Sequence, residues 1–268
     1  MVQWWVMQTP PAPPARTVIS PDNTQIATYE FGDPDAPTVL AVHGFASSAL
    51  ANFHATGWVR DLVREGYHVI AIDQRGHGQS DKPHSPAAYT MDLLVTDVLT
   101  VLDTFMLDEV DYVGYSLGAR VGWHAARFMP TRINRAVFGG IPDGDPLTRF
   151  RVDQGLAFVH DGVPVTDALT GAYLKMAGAI PDNDLEALIN LVEGMRGGPQ
   201  PHAANAPTQR VLFATGSEDR ILDASRALAE ATPRAAFFEI PGRNHFNAPT
   251  SRAFRLAAIE FLGLPGSD

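Results

Sequence analysis

The chain has 268 residues, 45% of them hydrophobic, and a formal net charge of −10. This length allows one large domain with an inserted subdomain. The negative charge and the lack of any run of Lys or Arg argue against a nucleic-acid partner, because phosphate binding needs a basic patch. The chain has no cysteine, which excludes disulfides, thiolate catalysis and cysteine-ligated metal sites.

The start of the chain is apolar but does not have the pattern of a targeting segment. Residues 1–7 lack the basic start and the cleavage pattern of a signal peptide. No segment reaches the roughly 18–20 apolar residues that span a bilayer. Prolines crowd the next residues, so 1–16 is predicted to be a flexible tether. We therefore expect a cytoplasmic protein with no membrane span, and whether it forms a homo-oligomer is left open.

From Arg16 onward, predicted strands alternate with predicted helices. Eight stretches have strand patterns, and the first two flank a turn at 21–23: 18–19, 25–30, 38–42, 67–72, 110–113, 133–138, 211–215 and 236–240. Helical patterns cover 58–65, 90–106, 118–128 and 251–262. This alternation predicts an α/β fold with right-handed crossovers and a mostly parallel sheet flanked by helices.

The pattern changes between Ile141 and Gln209, where strand signals vanish. Three short helical segments replace them, at 148–159, 165–177 and 184–193. The sequence therefore predicts a helical insertion at 142–205 between two parts of one core, 17–141 and 206–268.

The stretch from Val113 to Gly118 is predicted to be a strand that turns sharply into a helix. Its pattern is G-x-S-x-G, with Ser116 at the apex. A glycine two residues to either side of the serine permits a tight turn and keeps Cβ atoms out of the space below it. Such a turn exposes the serine hydroxyl, so Ser116 is the candidate nucleophile.

Two further residues of catalytic type follow later strands. Asp219 comes just after the strand at 211–215, and His245 just after the strand at 236–240. In an open parallel sheet, ligands bind at the carboxyl ends of the strands, so these residues are expected near Ser116. A serine hydroxyl needs a base to take its proton, and that base needs a third group to orient it. Glu218 and Asp143 remain alternatives to Asp219 as this third group.

These features together resemble the α/β-hydrolase family over about residues 17–263. The matching parts are His43-Gly44-Phe45, the loop 73–81, the turn 114–118, Gly216-x-x-Asp219 and the late His245. The resemblance implies the α/β-hydrolase fold, with Ser116 as nucleophile, His245 as general base and Asp219 as orienting acid. It implies no cofactor, and no metal-spaced histidine cluster is present in the sequence.

The resemblance also implies an oxyanion hole and a cap. The backbone N–H groups of Phe45 and Leu117 would form the oxyanion hole, and the insertion at 142–205 matches the position of the family's helical cap. Helix geometry also supports the N–H of Leu117 as an oxyanion donor. N–H groups at a helix N-terminus are unpaired and lie at the positive end of the helix dipole. Tyr115 and Phe246 flank the three catalytic candidates and are predicted to line the substrate pocket.

The expected activity is hydrolysis of a small ester-like substrate, of the carboxylesterase or lactonase type. Hydrolysis of a C–C bond and perhydrolysis use the same triad and stay open, although C–C hydrolases commonly carry Trp at the position of Phe246. Epoxide hydrolases and haloalkane dehalogenases are disfavoured, because they use an Asp nucleophile where this chain has Ser116. A ligand receptor built on a hydrolase fold is the alternative outside enzymes.

Overall fold

A computed structural model describes residues 11–144 and 147–263 of the chain. Within them, one sheet contains the strands β1 (Arg16–Ile19), β2 (Gln25–Phe31), β3 (Thr38–Val42), β4 (His68–Ile72), β5 (Val110–Tyr115), β6 (Ile133–Gly139), β7 (Arg210–Gly216) and β8 (Ala235–Ile240). The strand order is β1-β2-β4-β3-β5-β6-β7-β8. The pairs β1–β2 and β2–β4 are antiparallel and the other pairs are parallel. The predicted mostly parallel eight-stranded sheet is confirmed.

From β3 onward, α-helices connect the strands, and they cover both faces of the sheet. They are α1 (Trp58–Arg64), α2 (Met91–Thr104), α3 (Leu117–Phe128), α4 (Val152–Asp161), α5 (Ala168–Gly178), α6 (Leu185–Met195), α7 (Leu222–Glu230) and α8 (Arg252–Leu262). Helix α7 is absent from the predicted elements. Its buried face consists of Ser225, Leu228 and Ala229. Only one of these three is a large apolar side chain, so the segment has few apolar residues by which a helix can be recognised.

Alternate residues of the central strand β3 face two separate cores. Leu40 and Val42 pack with α2 and α3, whereas Val39 and Ala41 pack with α1 and α8 on the opposite face. Each residue of β3 is buried, as expected for a parallel strand covered by helices on both sides. The sheet is therefore held rigidly at its centre, where the carboxyl end of β3 lies beside that of β5.

The three helices α4, α5 and α6 lie between β6 and β7, where the helical insertion is predicted. They form a small apolar cluster of their own around Phe150, Leu174, Ile189 and Val192. The boundaries 142–205 stay a prediction. In the predicted tether, residues 11–15 have no helix or strand, and 1–10, which include the Trp pair, lie outside the described residues.

Two searches of the described residues gave negative results. Across 11–144 and 147–263, no helix combines the length and the apolar character that crossing a membrane requires. Over the same residues, no group of three or more His, Cys, Asp or Glu side chains is placed to hold a metal ion.

One carboxylate in the sheet makes the stability of the fold depend on pH. Asp111 on β5 is buried, and its carboxylate accepts a hydrogen bond of 3.2 Å from Asn134. Burial raises the pKa of Asp111 to about 6 from its ordinary value of 3.8. The folded chain therefore holds this proton more tightly than the unfolded chain. The protonated carboxyl of Asp111 therefore adds to the free energy of unfolding at low pH, and this contribution is lost as the pH rises from about 4 to above 6.

The substitution Asp111→Asn should stabilise the protein at pH 8, because the amide cannot ionise and keeps an acceptor for Asn134. We expect a gain of about 1–3 kcal/mol at pH 8 that shrinks towards pH 4. Urea unfolding at both pH values measures it. The matched control is Asp108→Asn at an exposed carboxylate two residues before β5, where the substitution should change the free energy of unfolding by less than about 0.5 kcal/mol. A gain at Asp111 that is the same at every pH would contradict this explanation.

Candidate active site

A single residue, Ser116, forms the turn between β5 and α3. Its backbone has φ 50° and ψ −109°, a conformation that costs a residue with a Cβ about 1–3 kcal/mol. Its N–H donates to the carbonyl of Gly139 on β6 at 2.7 Å, and its own carbonyl accepts from the N–H of Arg120 at 3.0 Å. The strained backbone is therefore held on both sides of the serine.

Two glycines allow α3 to lie against the sheet at this turn. A Cβ at Gly118 would lie 2.0 Å from the carbonyl oxygen of Val42, at the end of β3. A Cβ at Gly114 would lie 2.5 Å from the carbonyl oxygen of Gly118. Both distances are far below any real contact. Each of the two glycine positions in the G-x-S-x-G pattern therefore requires glycine for a steric reason.

The structure brings Ser116, His245 and Asp219 into one chain of hydrogen bonds. The Nε2 atom of His245 lies 3.0 Å from Oγ of Ser116, and its Nδ1 atom lies 2.8 Å from Oδ2 of Asp219. The carboxylate can only accept, so the proton of the neutral imidazole belongs on Nδ1. Nε2 is then free to accept the serine proton, which is the arrangement that a general base requires.

Asp219 is held more firmly than either of the alternative acids. It is buried just after β7, and its second carboxylate oxygen accepts from the N–H of Ile221 at 3.2 Å. Asp143 and Glu218 are both exposed. Of these three acids, Asp219 is the one that lies against the histidine, and its role as the orienting acid stays a prediction.

Of the two predicted pocket residues, Tyr115 is buried and Phe246 is 61% exposed. The hydroxyl of Tyr115 donates to the backbone carbonyl of His245 at 2.5 Å. Tyr115 thus supports the histidine loop, and its place in a substrate pocket stays a prediction. The ring of Phe246 stands edge-on to the ring of His245, with 6.0 Å between centroids.

The helical segment between β6 and β7 adds an aromatic side chain that is not among the predicted site residues. Tyr173 on α5 lies between Phe45 and Phe246, with its ring centroid 5.9 Å and 6.2 Å from theirs. Burial and the charge of Asp219 raise the pKa of Tyr173. The three rings line one side of the site. No periodic pattern could have identified Tyr173, because its neighbours come from distant parts of the chain.

The two predicted oxyanion donors are Phe45 and Leu117. Leu117 is the first residue of α3, and Phe45 follows Gly44 in the loop after β3. That loop lies beside Ser116, since a Cβ at Gly44 would be 3.4 Å from the Cβ of the serine. Neither N–H donates a hydrogen bond to another residue in the described parts of the chain. Both remain predicted members of an oxyanion hole.

Comparisons with known proteins show which fold this architecture corresponds to. A family model described as the alpha/beta hydrolase fold matches residues 37–168. The structure of an enol-lactonase from Burkholderia xenovorans LB400 superposes with a TM-score of 0.74 at 22% identity, covering 93% of this chain and 99% of that one. The chain has the α/β-hydrolase fold.

Sequence similarity to curated members of the superfamily is confined to part of each protein. Epoxide hydrolase A from Mycobacterium tuberculosis is 31% identical over 145 residues, which are 54% of this chain and 43% of that protein. An AB hydrolase superfamily protein from Bacillus subtilis is 32% identical over 114 residues, 41% of this chain and 38% of that protein. The chain thus spans less than half the length of these relatives. The family model covers Ser116 but ends before Asp219 and His245.

The close approach at Gly118 should make this position intolerant of any side chain. Gly118→Ala should destabilise the protein by about 1–3 kcal/mol or more, because the added methyl group meets a backbone carbonyl that cannot move aside. The matched control is Gly171→Ala on α5, where the nearest atom to the new Cβ is 3.9 Å away. That variant should gain about 0.5–1 kcal/mol of helix stability. Urea unfolding compares the two, and equal stabilities would contradict the steric account.

Proposed function

We propose that the chain is a serine hydrolase that cleaves an ester-like carbonyl substrate through an acyl-enzyme on Ser116. The observation that carries this proposal is the continuous hydrogen-bond chain from Ser116 through His245 to Asp219. A serine, a base within reach of its proton and a buried acid behind the base are the parts that nucleophilic acyl transfer requires.

The geometry supports a reaction in two halves. As Oγ of Ser116 attacks the carbonyl carbon, Nε2 of His245 takes the serine proton, and Asp219 stabilises the imidazolium that forms. His245 then donates this proton to the leaving alkoxide, and the acyl group stays on the serine. Water, deprotonated by the same nitrogen, attacks the acyl-enzyme and releases the acid. Side chains and water supply every reacting group, so the reaction needs no cofactor.

The oxyanion of each tetrahedral intermediate would be bound by the N–H groups of Phe45 and Leu117. Both belong to backbone segments beside Ser116, and the second opens α3, where the helix dipole favours negative charge. The loss of one such donor typically costs about 10²–10³ in rate. Aromatic rings on the same side of the site favour a small or medium acyl group with hydrophobic character. A lactone fits the same chemistry because it is a cyclic ester.

The relative in Mycobacterium tuberculosis is named as an epoxide hydrolase, but the opening of an epoxide does not suit a serine nucleophile. A carboxylate that opens an epoxide forms an ester, which water can hydrolyse. A serine hydroxyl that did so would form an ether, with no carbonyl for water to attack and no oxyanion to stabilise. The side chain at residue 116 therefore favours a carbonyl substrate for this chain.

The nucleophile is tested with Ser116→Ala on short p-nitrophenyl esters. We expect kcat to fall by about 10⁴–10⁶, together with loss of covalent labelling by a fluorophosphonate. Ser85→Ala, at an exposed serine outside the site, should leave both unchanged. Turnover far above one product per chain distinguishes an enzyme from a receptor that reacts once. Near-wild-type turnover in Ser116→Ala would refute the assignment.

The orienting acid is tested by comparing Asp219→Asn with Asp143→Asn. The first variant should lower kcat by about 10⁴, because an amide can hold His245 in the wrong tautomer. The second should have little effect, since Asp143 is exposed. Steady-state kinetics on one ester measures both. A severe loss in Asp143→Asn with a nearly silent Asp219→Asn would assign the acid to the loop after β6 instead.

A further inference from the structure

The loop that carries the Phe45 N–H contains a strained residue of its own. Ala46 has φ 57° although it is not glycine, and its side chain is fully buried. A residue in this left-handed region persists only when the surroundings hold it there. The contacts around Ala46 therefore decide how the loop, and with it the N–H of Phe45, is directed at Ser116.

Two buried histidines hold the loop from the side of the core. His43 Nδ1 lies 2.7 Å from the carbonyl oxygen of Gly44, which belongs to the same peptide unit as the Phe45 N–H. The next contact is made by the N–H of Ala46, which donates to Nε2 of His77 at 2.9 Å. The Nδ1 atom of His77 faces the carbonyl oxygen of Arg75 at 3.1 Å, so its proton belongs on Nδ1 and Nε2 is an acceptor.

The protonation state of His77 is consistent with this role. The side chain is fully buried, and burial lowers the pKa of His77 well below its ordinary value of 6.5. His77 is therefore neutral at pH 7 and can accept from the N–H of Ala46. Two successive peptide units of the loop are thus fixed by the core alone.

The third contact comes from the cap. The side-chain amide of Asn183 donates to the carbonyl oxygen of Ala46 at 3.0 Å and to the carbonyl oxygen of Ala177, in α5, also at 3.0 Å. Asn183 lies just before α6, so one amide joins two segments of the cap to the loop beside the nucleophile. Ala46, Ala177 and Leu188 also pack together in one small apolar cluster.

We propose that Asn183 is a positioning residue that couples docking of the cap to the geometry of the oxyanion hole. It completes the set of contacts that keep Ala46 in its strained conformation, and without it Ala46 can relax and turn the preceding peptide units away from Ser116. The oxyanion hole would then be complete only while the cap is docked. This inference rests on the proposed function, which supplies the role of the Phe45 N–H.

The adjacent residue provides a matched control. The carboxylate of Asp184 lies 2.7 Å from Nε2 of His84, in the segment between β4 and α2. This contact also joins the cap to the core, but it touches no part of the loop 44–46. Removing it weakens docking of the same cap segment and leaves the loop contacts in place. His84→Ala therefore separates general docking of the cap from the specific bond made by Asn183.

The kinetic test compares Asn183→Ala and Asn183→Asp with His84→Ala. Both substitutions at Asn183 should lower kcat about 10- to 100-fold, with KM changed by less than about threefold, because misdirected catalytic groups cost rate rather than substrate binding. Asn183→Asp has nearly the same shape but faces the Ala46 carbonyl with a carboxylate that cannot donate. Affinity for a trifluoromethyl ketone, whose serine adduct carries the oxyanion, should fall by the same factor as kcat.

Amide hydrogen exchange gives a readout that does not depend on turnover. Exchange at residues 44–47 should accelerate in Asn183→Ala and stay at the wild-type rate in His84→Ala. Wild-type exchange in Asn183→Ala, an unchanged kcat despite faster exchange, or an equal loss of kcat in His84→Ala would each overturn the inference. A wild type that hydrolyses no ester would count against the proposed function instead, and exchange would still decide whether Asn183 holds the loop.

Discussion

The contact between α3 and the end of β3 governs the geometry of the whole site. Gly118 leaves no side chain between the helix backbone and the carbonyl of Val42, so the helix begins directly against the sheet. Ser116 is then forced into a conformation that a residue with a Cβ rarely adopts, and its hydroxyl is raised at the carboxyl edge of the strands. The loops after β3, β7 and β8 meet at this edge, and each contributes one part of the candidate site.

Buried polar groups around Ser116 hold loops in place. Asp73, at the end of β4, accepts hydrogen bonds from the N–H groups of Ala49 at 2.7 Å and Gln79 at 2.8 Å. His43 and His77 hold successive peptide units of the loop beside Ser116. A buried polar group without a partner is costly, so such a network, once satisfied, admits few other arrangements. The site is therefore supported by rigid neighbours, as preorganised donors require.

The comparisons illustrate how one fold can carry different chemistry. The chain shares its fold and a stretch of sequence with proteins named as epoxide hydrolases. The choice between opening an epoxide and cleaving an ester depends on the atom that attacks, since a carboxylate and a hydroxyl leave intermediates of different reactivity. A fold-level likeness therefore does not decide the reaction, and the side chain at the turn carries more information about it.

Local patterns in the sequence were sufficient to predict the sheet and the sharp turn, and to give the order of the serine, the acid and the histidine along the chain. Buried parallel strands appear as continuous apolar runs, and a turn this tight requires glycine at fixed positions. The missed helix α7 shows the limit of this signal, because its nine residues bury only one large apolar side chain. Such features are encoded within a few neighbouring residues, so they can be read without knowing the fold.

Tertiary structure alone decided which carboxylate meets His245 and which side chains surround Ser116. Asp143 and Asp219 each follow a strand, and only packing shows that Asp219 is buried against the histidine while Asp143 is exposed. Tyr173 and Asn183 come from the helical segment between β6 and β7 and meet residues more than a hundred positions earlier in the chain. These contacts depend on how helices dock on the sheet, which local periodicity does not specify.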